Sequence, residues 1–306
     1  MTTIKPNLII PSPLQPGDRV AIICPAGRAR TADCEAAARV LAAHDLQAEL
    51  SPMVYSNCGS FSGTQTERLN DFIRVWTDPG IRAVICSRGG YGAVHLLDRL
   101  DSMNLRENAK WLVGFSDICV LHALMNRHGI ASIHGPMAKH ISVNDGHNPY
   151  ANALTDILFG EMPHYHFAPH AFNRQGEAHA TLTGGNLSVL SALTGTRFDT
   201  LRPGSILLIE DISEPVYKVE RMLCQLRLSG VLPRLAGLLV GSFTNWNADI
   251  NHESMQSMIR DMVEEYDYPT AFDVPVGHGG EAMPLVLGVN TLMRVSCTGV
   301  EFMQFS

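Results

Sequence analysis

The chain has 306 residues, 45% of them hydrophobic and 17% charged, which allows two domains or one large one and excludes a disordered chain. Its net charge of −7 argues against nucleic acid or an anionic membrane as a partner, but leaves an anionic small molecule open, because local charge decides that. Seven cysteines form no CxxC pair, and Cys24, Cys86 and Cys119 lie in apolar runs, so free thiols in a reducing compartment are expected.

From Met1 to Asp18 the only apolar run is Leu8-Ile9-Ile10, too short for a signal peptide or a membrane span. A cytoplasmic protein is therefore expected. Arg19–Cys24 reads as a buried strand stopped by Pro25-Ala26-Gly27, followed by an Ala-rich helix over 33–46. Leu69, Phe72, Ile73 and Trp76 stand at helical spacing and predict a second helix over 66–76. Ala83–Cys86 is a further buried strand ending in Ser87-Arg88-Gly89-Gly90-Tyr91-Gly92, with a helix expected over 93–100. Strands that are apolar throughout and alternate with helices imply an α/β fold with a parallel sheet covered on both faces.

The stretch Trp111-Leu112-Val113-Gly114-Phe115-Ser116-Asp117-Ile118 turns from a strand into a helix. A serine on such a turn is exposed above the sheet beside unpaired helix N–H groups, and it is a candidate nucleophile with the Asp117 N–H as one oxyanion donor. The plain alternative is that Ser116 or Asp117 only caps the helix. Gly89 and Gly90 follow the carboxyl end of another parallel strand, the edge on which open α/β sheets bind ligands. Gly90 is the candidate for the second oxyanion donor, since no Cβ keeps a ligand from its N–H. A tight turn is the alternative there, and the spacing does not match a dinucleotide GxGxxG.

Residues 161–176 are rich in His, Pro and aromatics without periodicity, which suggests a linker or lid. Four of the thirteen histidines (164, 166, 170 and 179) fall here or just after. None makes a helical i, i+4 pair with an acidic third ligand, so no metal site is expected. Thr183–Leu187 reads as a glycine turn into a helix over 187–194, and Ser205–Ile209 as a buried strand ending in Glu210-Asp211. A helix over 217–228, a strand over 235–243, a helix over 254–265, a loop over 274–280 and two or three C-terminal strands complete the chain.

Ser116, Glu210 and His278 all stand at strand ends facing loops. A serine hydrolase needs such a set: an imidazole to take the hydroxyl proton and a carboxylate to fix its tautomer. Asp211 and Glu214 are alternative carboxylates, a salt bridge would explain Glu210, and a turn would explain His278. The order Ser, Glu, His matches α/β hydrolases, but Gly114-Phe115-Ser116-Asp117-Ile118 lacks the second glycine of their GxSxG elbow, which points to another fold.

At this point a family resemblance appears. The segments Phe61-Ser62-Gly63-Thr64…Glu67-Arg68, Arg88-Gly89-Gly90-Tyr91-Gly92-Ala93, Gly114-Phe115-Ser116-Asp117, His134-Gly135-Pro136-Met137, Gly184-Gly185-Asn186-Leu187, Leu208-Ile209-Glu210-Asp211-Ile212 and Gly277-His278 resemble, in order, the LD-carboxypeptidases. This family of serine peptidases includes murein tetrapeptide carboxypeptidases and microcin-immunity peptidases. The resemblance covers roughly residues 18 to 290.

The resemblance implies a flavodoxin-like parallel-sheet N-terminal domain (1–155) carrying the nucleophile Ser116. It implies a linker or lid (156–176) and a smaller β-rich α/β C-terminal domain (177–306) carrying Glu210 and the base His278. It further implies removal of a terminal D-Ala from cytoplasmic muropeptides during cell-wall recycling, without metal or cofactor, by a homodimer. Arg88 is the candidate for binding the substrate's free carboxylate, with a structural role as the alternative. The same chemistry on a microcin-type peptide-nucleotide would need aromatic stacking on the base, for which Tyr165, Phe167 and Phe172 are candidates. A non-catalytic flavodoxin-like binding module is the reading from another class.

Overall fold

The computed structural model describes residues 7–247 and 250–306. The strands, in chain order, are β1 (Arg19–Ile23), β2 (Gln47–Leu50), β3 (Ile81–Cys86), β4 (Trp111–Gly114), β5 (Ser132–His134), β6 (His164–Phe167) and β7 (Gly176–Asn186). They continue as β8 (Ile206–Ile212), β9 (Gly237–Thr244), β10 (Thr270–Ala271), β11 (Leu285–Leu287), β12 (Asn290–Ser296) and β13 (Gly299–Phe305). The α-helices are α1 (Thr31–Ala43), α2 (Gln65–Thr77), α3 (Leu97–Asp101), α4 (Cys119–Arg127), α5 (Ala138–Ile141), α6 (Pro149–Leu158), α7 (Leu187–Leu193), α8 (Val216–Leu228) and α9 (Met255–Val263). The chain forms two compact units: one runs to Glu161 and takes in Met283–Gly288, and the other holds Met162–Ala282 and Val289–Ser306. Among the described residues, no helix is long and apolar enough to cross a membrane.

In the first unit the sheet order is β11-β5-β4-β3-β1-β2. The strands β2-β1-β3-β4-β5 are parallel, and β11 joins β5 antiparallel. Val20–Ile23, Ala83–Cys86 and Trp111–Gly114 are buried residue after residue, as happens only when helices cover both faces. The chain passes from β2 across β1 to β3, so the strand order reverses there. The loops leaving β1 and β3 flank that switch point, where open sheets place their ligands.

One loop at this edge is fixed by α2. Thr64 and Glu67 form a capping box, with Thr64 N–H on Glu67 Oε2 at 2.8 Å and Glu67 N–H on Thr64 Oγ1 at 3.2 Å, worth about 1 kcal/mol. Arg68, buried, then donates to the carbonyls of Pro25 (2.5 Å), Gly63 (3.2 Å) and Gly92 (2.9 Å). One side chain thereby ties the loop after β1 to the loop after β3.

The second unit has the sheet order β10-β9-β8-β7-β12-β13-β6. Parallel pairing runs from β10 to β7, and antiparallel pairing from β7 to β6. The helices α7, α8 and α9 bury Leu187, Val219, Leu223, Leu226, Met258 and Ile259 with Leu207, Ile209 and Val240 of β8 and β9.

Three segments differ from the sequence reading. The expected glycine turn at 183–186 is the end of β7. Gly184 serves close approach rather than a turn, because a Cβ on it (φ +125°) would overlap the Leu208 backbone. Residues 164–167, within the expected lid, form the edge strand β6, because Tyr165 and Phe167 both pack on Phe302. The helix expected from Ala93 begins as a 3₁₀ turn over Ala93–Leu96.

Candidate active site

In the first unit the turn after β4 puts Ser116 in the left-handed region at φ +66°. A non-glycine residue costs about 1–2 kcal/mol there, so the surrounding packing holds it. His122, fully enclosed on α4, donates through Nε2 to the Gly114 carbonyl (2.8 Å) and accepts at Nδ1 from the Ser132 hydroxyl (2.9 Å). Burial pushes its pKa down to about 3, so the ring is neutral and that tautomer follows. Gly135 N–H bonds the same carbonyl at 3.1 Å, pinning the end of β4 two residues before Ser116.

Asp117 is buried, and its Oδ2 accepts the Ala93 N–H at 2.8 Å. Burial raises its pKa, while the Ala93 N–H and the Arg68 guanidinium favour the carboxylate. The side chain thus clamps the glycine loop 89–92 against the Ser116 turn, and its backbone N–H remains next to the hydroxyl.

Gly89 lies against Ser116. A Cβ there would stand 2.6 Å from Ser116 Cβ, 2.8 Å from its Oγ and 3.1 Å from the Asp117 nitrogen. That empty volume touches both the hydroxyl and a main-chain donor, the space a carbonyl oxygen needs when an alkoxide attacks its carbon. The sequence reading weighed Gly90 as a donor and missed this role for its neighbour, whose only signal was a second glycine after a parallel strand. Gly90 itself has φ +103°.

Arg88 is exposed and donates to the Arg28 carbonyl at 3.1 Å. With Arg28, Arg30, Thr31, Tyr55 and Asn57 it lines a cavity of about 340 Å³. Three arginines among its lining residues make it suited to an anion.

In the second unit Glu210 and His278, 68 residues apart, come together. Oε2 of Glu210 lies 2.5 Å from Nδ1 of His278. The carboxylate is fully enclosed, whereas the imidazole keeps 14% of its side-chain surface exposed. Two glycines make room for this pair. A Cβ on Gly277 (φ +97°) would lie 2.5 Å from Glu210 Oε2, and one on Gly241 would lie 3.2 Å from Glu210 Cβ. The β8–β9 register also shifts between Ile209 and Asp211. That irregularity falls on Glu210, and a bulge of this kind re-aims a side chain. The His278 carbonyl accepts from Thr244 Oγ1 at 3.3 Å.

The alternative carboxylates are engaged elsewhere. Asp211 accepts from Asn186 Nδ2 (2.9 Å), Ser188 N–H (2.8 Å) and Ile212 N–H (2.9 Å), which fixes the start of α7. Burial raises its pKa. Glu214 faces Lys218 at 3.4 Å. The aromatic candidates are also committed: Tyr165 and Phe167 to Phe302, and Phe172 to Phe272 and the Arg260 guanidinium.

A buried carboxylate on one nitrogen of a partly exposed imidazole prepares the other nitrogen to accept a proton. A hydroxyl on a strained strand-to-helix turn, with the Asp117 N–H beside it, is suited to acyl transfer.

Comparison with known proteins adds the relatives. The LD-carboxypeptidase N-terminal domain profile matches residues 20–135, and the C-terminal domain profile matches residues 179–293. The chain is 34% identical over 281 residues to a murein tetrapeptide carboxypeptidase of Pseudomonas aeruginosa, covering 87% of this chain and 90% of that one. The crystal structure of a muramoyltetrapeptide carboxypeptidase from Oxalobacter formigenes superposes with a TM-score of 0.85 at 27% identity, over 94% of this chain and 99% of that one. A microcin C7 self-immunity protein in complex with glutamyl sulfamoyl guanosine shares the fold, with a TM-score of 0.81 at 18% identity over 98% and 99% of the two chains.

Proposed function

The chain belongs to the LD-carboxypeptidase family and is a carboxypeptidase, and on that premise we propose that it releases the C-terminal D-Ala from muropeptide tetrapeptides in peptidoglycan recycling. The observation that carries this reading is the enclosed Glu210 carboxylate 2.5 Å from Nδ1 of His278. The identity to a relative named for murein tetrapeptides supports the substrate class.

The mechanism follows from these groups. The Ser116 hydroxyl attacks the carbonyl carbon of the L-centred residue, and its proton passes to Nε2 of His278. Glu210 accepts the Nδ1–H and stabilises the imidazolium. The N–H groups of Gly90 and Asp117 hold the oxyanion, and the Gly89 gap gives that oxygen room. The imidazolium protonates the D-Ala nitrogen as the C–N bond breaks, leaving an ester on Ser116. Water, deprotonated by the same imidazole, hydrolyses the ester. Arg88, with Arg28 and Arg30 beside it, binds the free carboxylate that distinguishes a terminal residue.

Incubation with a muropeptide tetrapeptide tests the reading. D-Ala release is expected, falling by a factor of about 10³ or more in Ser116→Ala. No release by the wild type, or undiminished release by the variant, would refute it. A peptide-nucleotide assayed alongside should turn over more slowly, because Tyr165, Phe167 and Phe172 pack within their own unit.

A further inference from the structure

The solvent face of the second sheet carries a polar row across four strands. Glu177 on β7 is paired in register with Arg294 on β12, Arg294 with Glu301 on β13, and Glu301 with His166 on β6. His164 is two residues from His166, so both imidazoles leave the strand on the same face. Tyr165 and Phe167 point the other way, toward Phe302. Glu301 is therefore directly opposite His166 and diagonal to His164, both within reach across an antiparallel pair.

The distances bring three donors together. His164 Nε2 stands 3.6 Å from Glu301 Oε1, the two imidazole centroids are 5.2 Å apart, and one ligand atom from each residue lies within 4.8 Å of the others. Donors about 2.0–2.2 Å from a zinc ion sit roughly 3.3–3.5 Å from one another, so a small rotation of two exposed side chains completes the set. Glu301 is already oriented: its other oxygen, Oε2, accepts from Arg294 Nη1 at 2.5 Å, and Arg294 Nε donates to Glu177 at 2.9 Å. A ligating carboxylate held by a second residue is typical of built metal sites.

We infer that His164, His166 and Glu301 form a surface site for one zinc-class divalent ion, with water completing the coordination. Two imidazoles and a carboxylate suit a borderline first-row ion and not Mg²⁺ or Ca²⁺, which prefer all-oxygen shells. A search for helical i, i+4 histidine pairs passes over this site, because on a strand i, i+2 achieves the same convergence. The ion would fasten the edge strand β6 to β13, four positions along the sheet from β8 and Glu210. The site is thus independent of the peptidase reading.

The experiment is calorimetric titration of the chelator-stripped full-length protein with ZnCl₂, and with MgCl₂ in parallel. Thermal unfolding with and without Zn²⁺ accompanies it. One Zn²⁺ per chain, a raised unfolding midpoint and no response to Mg²⁺ are expected. The His164→Ala/His166→Ala double variant should weaken this event at least tenfold, and Glu301→Gln should weaken it too. All three side chains are at least partly solvent-exposed, and circular dichroism checks that the variants fold. No zinc binding by the wild type, or binding of equal strength in the folded double variant, overturns the assignment. Because the readout is binding, its failure is separate from any failure to release D-Ala.

Discussion

Nδ1 of His278 lies 2.5 Å from Oε2 of Glu210, on a carboxylate that has no solvent-exposed surface. A carboxylate so enclosed fixes which imidazole nitrogen carries the proton, and replacing it by an amide of the same shape reverses that preference. Glu210→Gln should therefore lower kcat for D-Ala release by about 10³–10⁴ with little change in KM. Steady-state kinetics on the folded variant checks this. A loss confined to KM would place the pair in binding instead.

Gly89→Ala isolates the gap beside Ser116. The added methyl would stand 2.6 Å from Ser116 Cβ, and relieving that overlap costs about 1–3 kcal/mol. A displaced hydroxyl should cut kcat/KM by about 10² or more. Gly59→Ala is the control for a destabilised backbone away from the gap, because its φ of +62° strains an alanine while a Cβ there would meet nothing within 4 Å. Equal activity losses in the two variants would show that the gap is unimportant.

Ser116 holds a left-handed backbone at φ +66°, and the strain belongs to its Cβ. Ser116→Gly should recover about 1 kcal/mol, raising the unfolding midpoint by roughly 2 °C, while activity disappears. Ser116→Ala keeps the Cβ and should gain nothing. Calorimetry on both variants separates the two, and an equal midpoint for both would mean that the turn is unstrained.

His122 gives a pH dependence of defined sign. Its folded pKa is lowered to about 3, below the ordinary value near 6.5. Between these values the unfolded chain binds the proton and the folded chain does not. Stability is complete above about pH 6.5 and declines as pH falls toward 3, by up to about 1.4 kcal/mol per pH unit. Urea unfolding at pH 4.5, 5.5 and 7 should show a shallower pH slope in His122→Asn than in the wild type. Parallel slopes would rule out this histidine as the source.

Much of the first sheet is legible in the sequence because Val20–Ile23, Ala83–Cys86 and Trp111–Val113 are continuous apolar runs, and only a strand covered on both faces needs them. β2 is not, because Gln47–Leu50 is an edge strand that stays partly exposed and carries a mixed pattern. The first part of β7 is not legible for a related reason: Gly176–Thr181 is mostly polar or half-exposed, with no apolar run to mark it. The turn at Ser116 could be read locally, since Gly114 and the change of periodicity lie within a few residues. The choice of Glu210 over Asp211 and Glu214 could not, because it depends on Gly241 and Gly277 clearing space for one carboxylate. That relation spans β8, β9 and a distant loop, and no spacing rule encodes it.

The return of Met283–Gly288 to the first unit has a genetic consequence. A gene fragment ending near codon 161 would encode a sheet without Leu285–Leu287, leaving the backbone of Ser132–His134 as an open flank on which another copy could pair. A fragment beginning there would carry a strand whose partner it does not encode. Cutting the chain there therefore takes a strand from the first sheet and leaves the second fragment with a strand that has no sheet of its own to join.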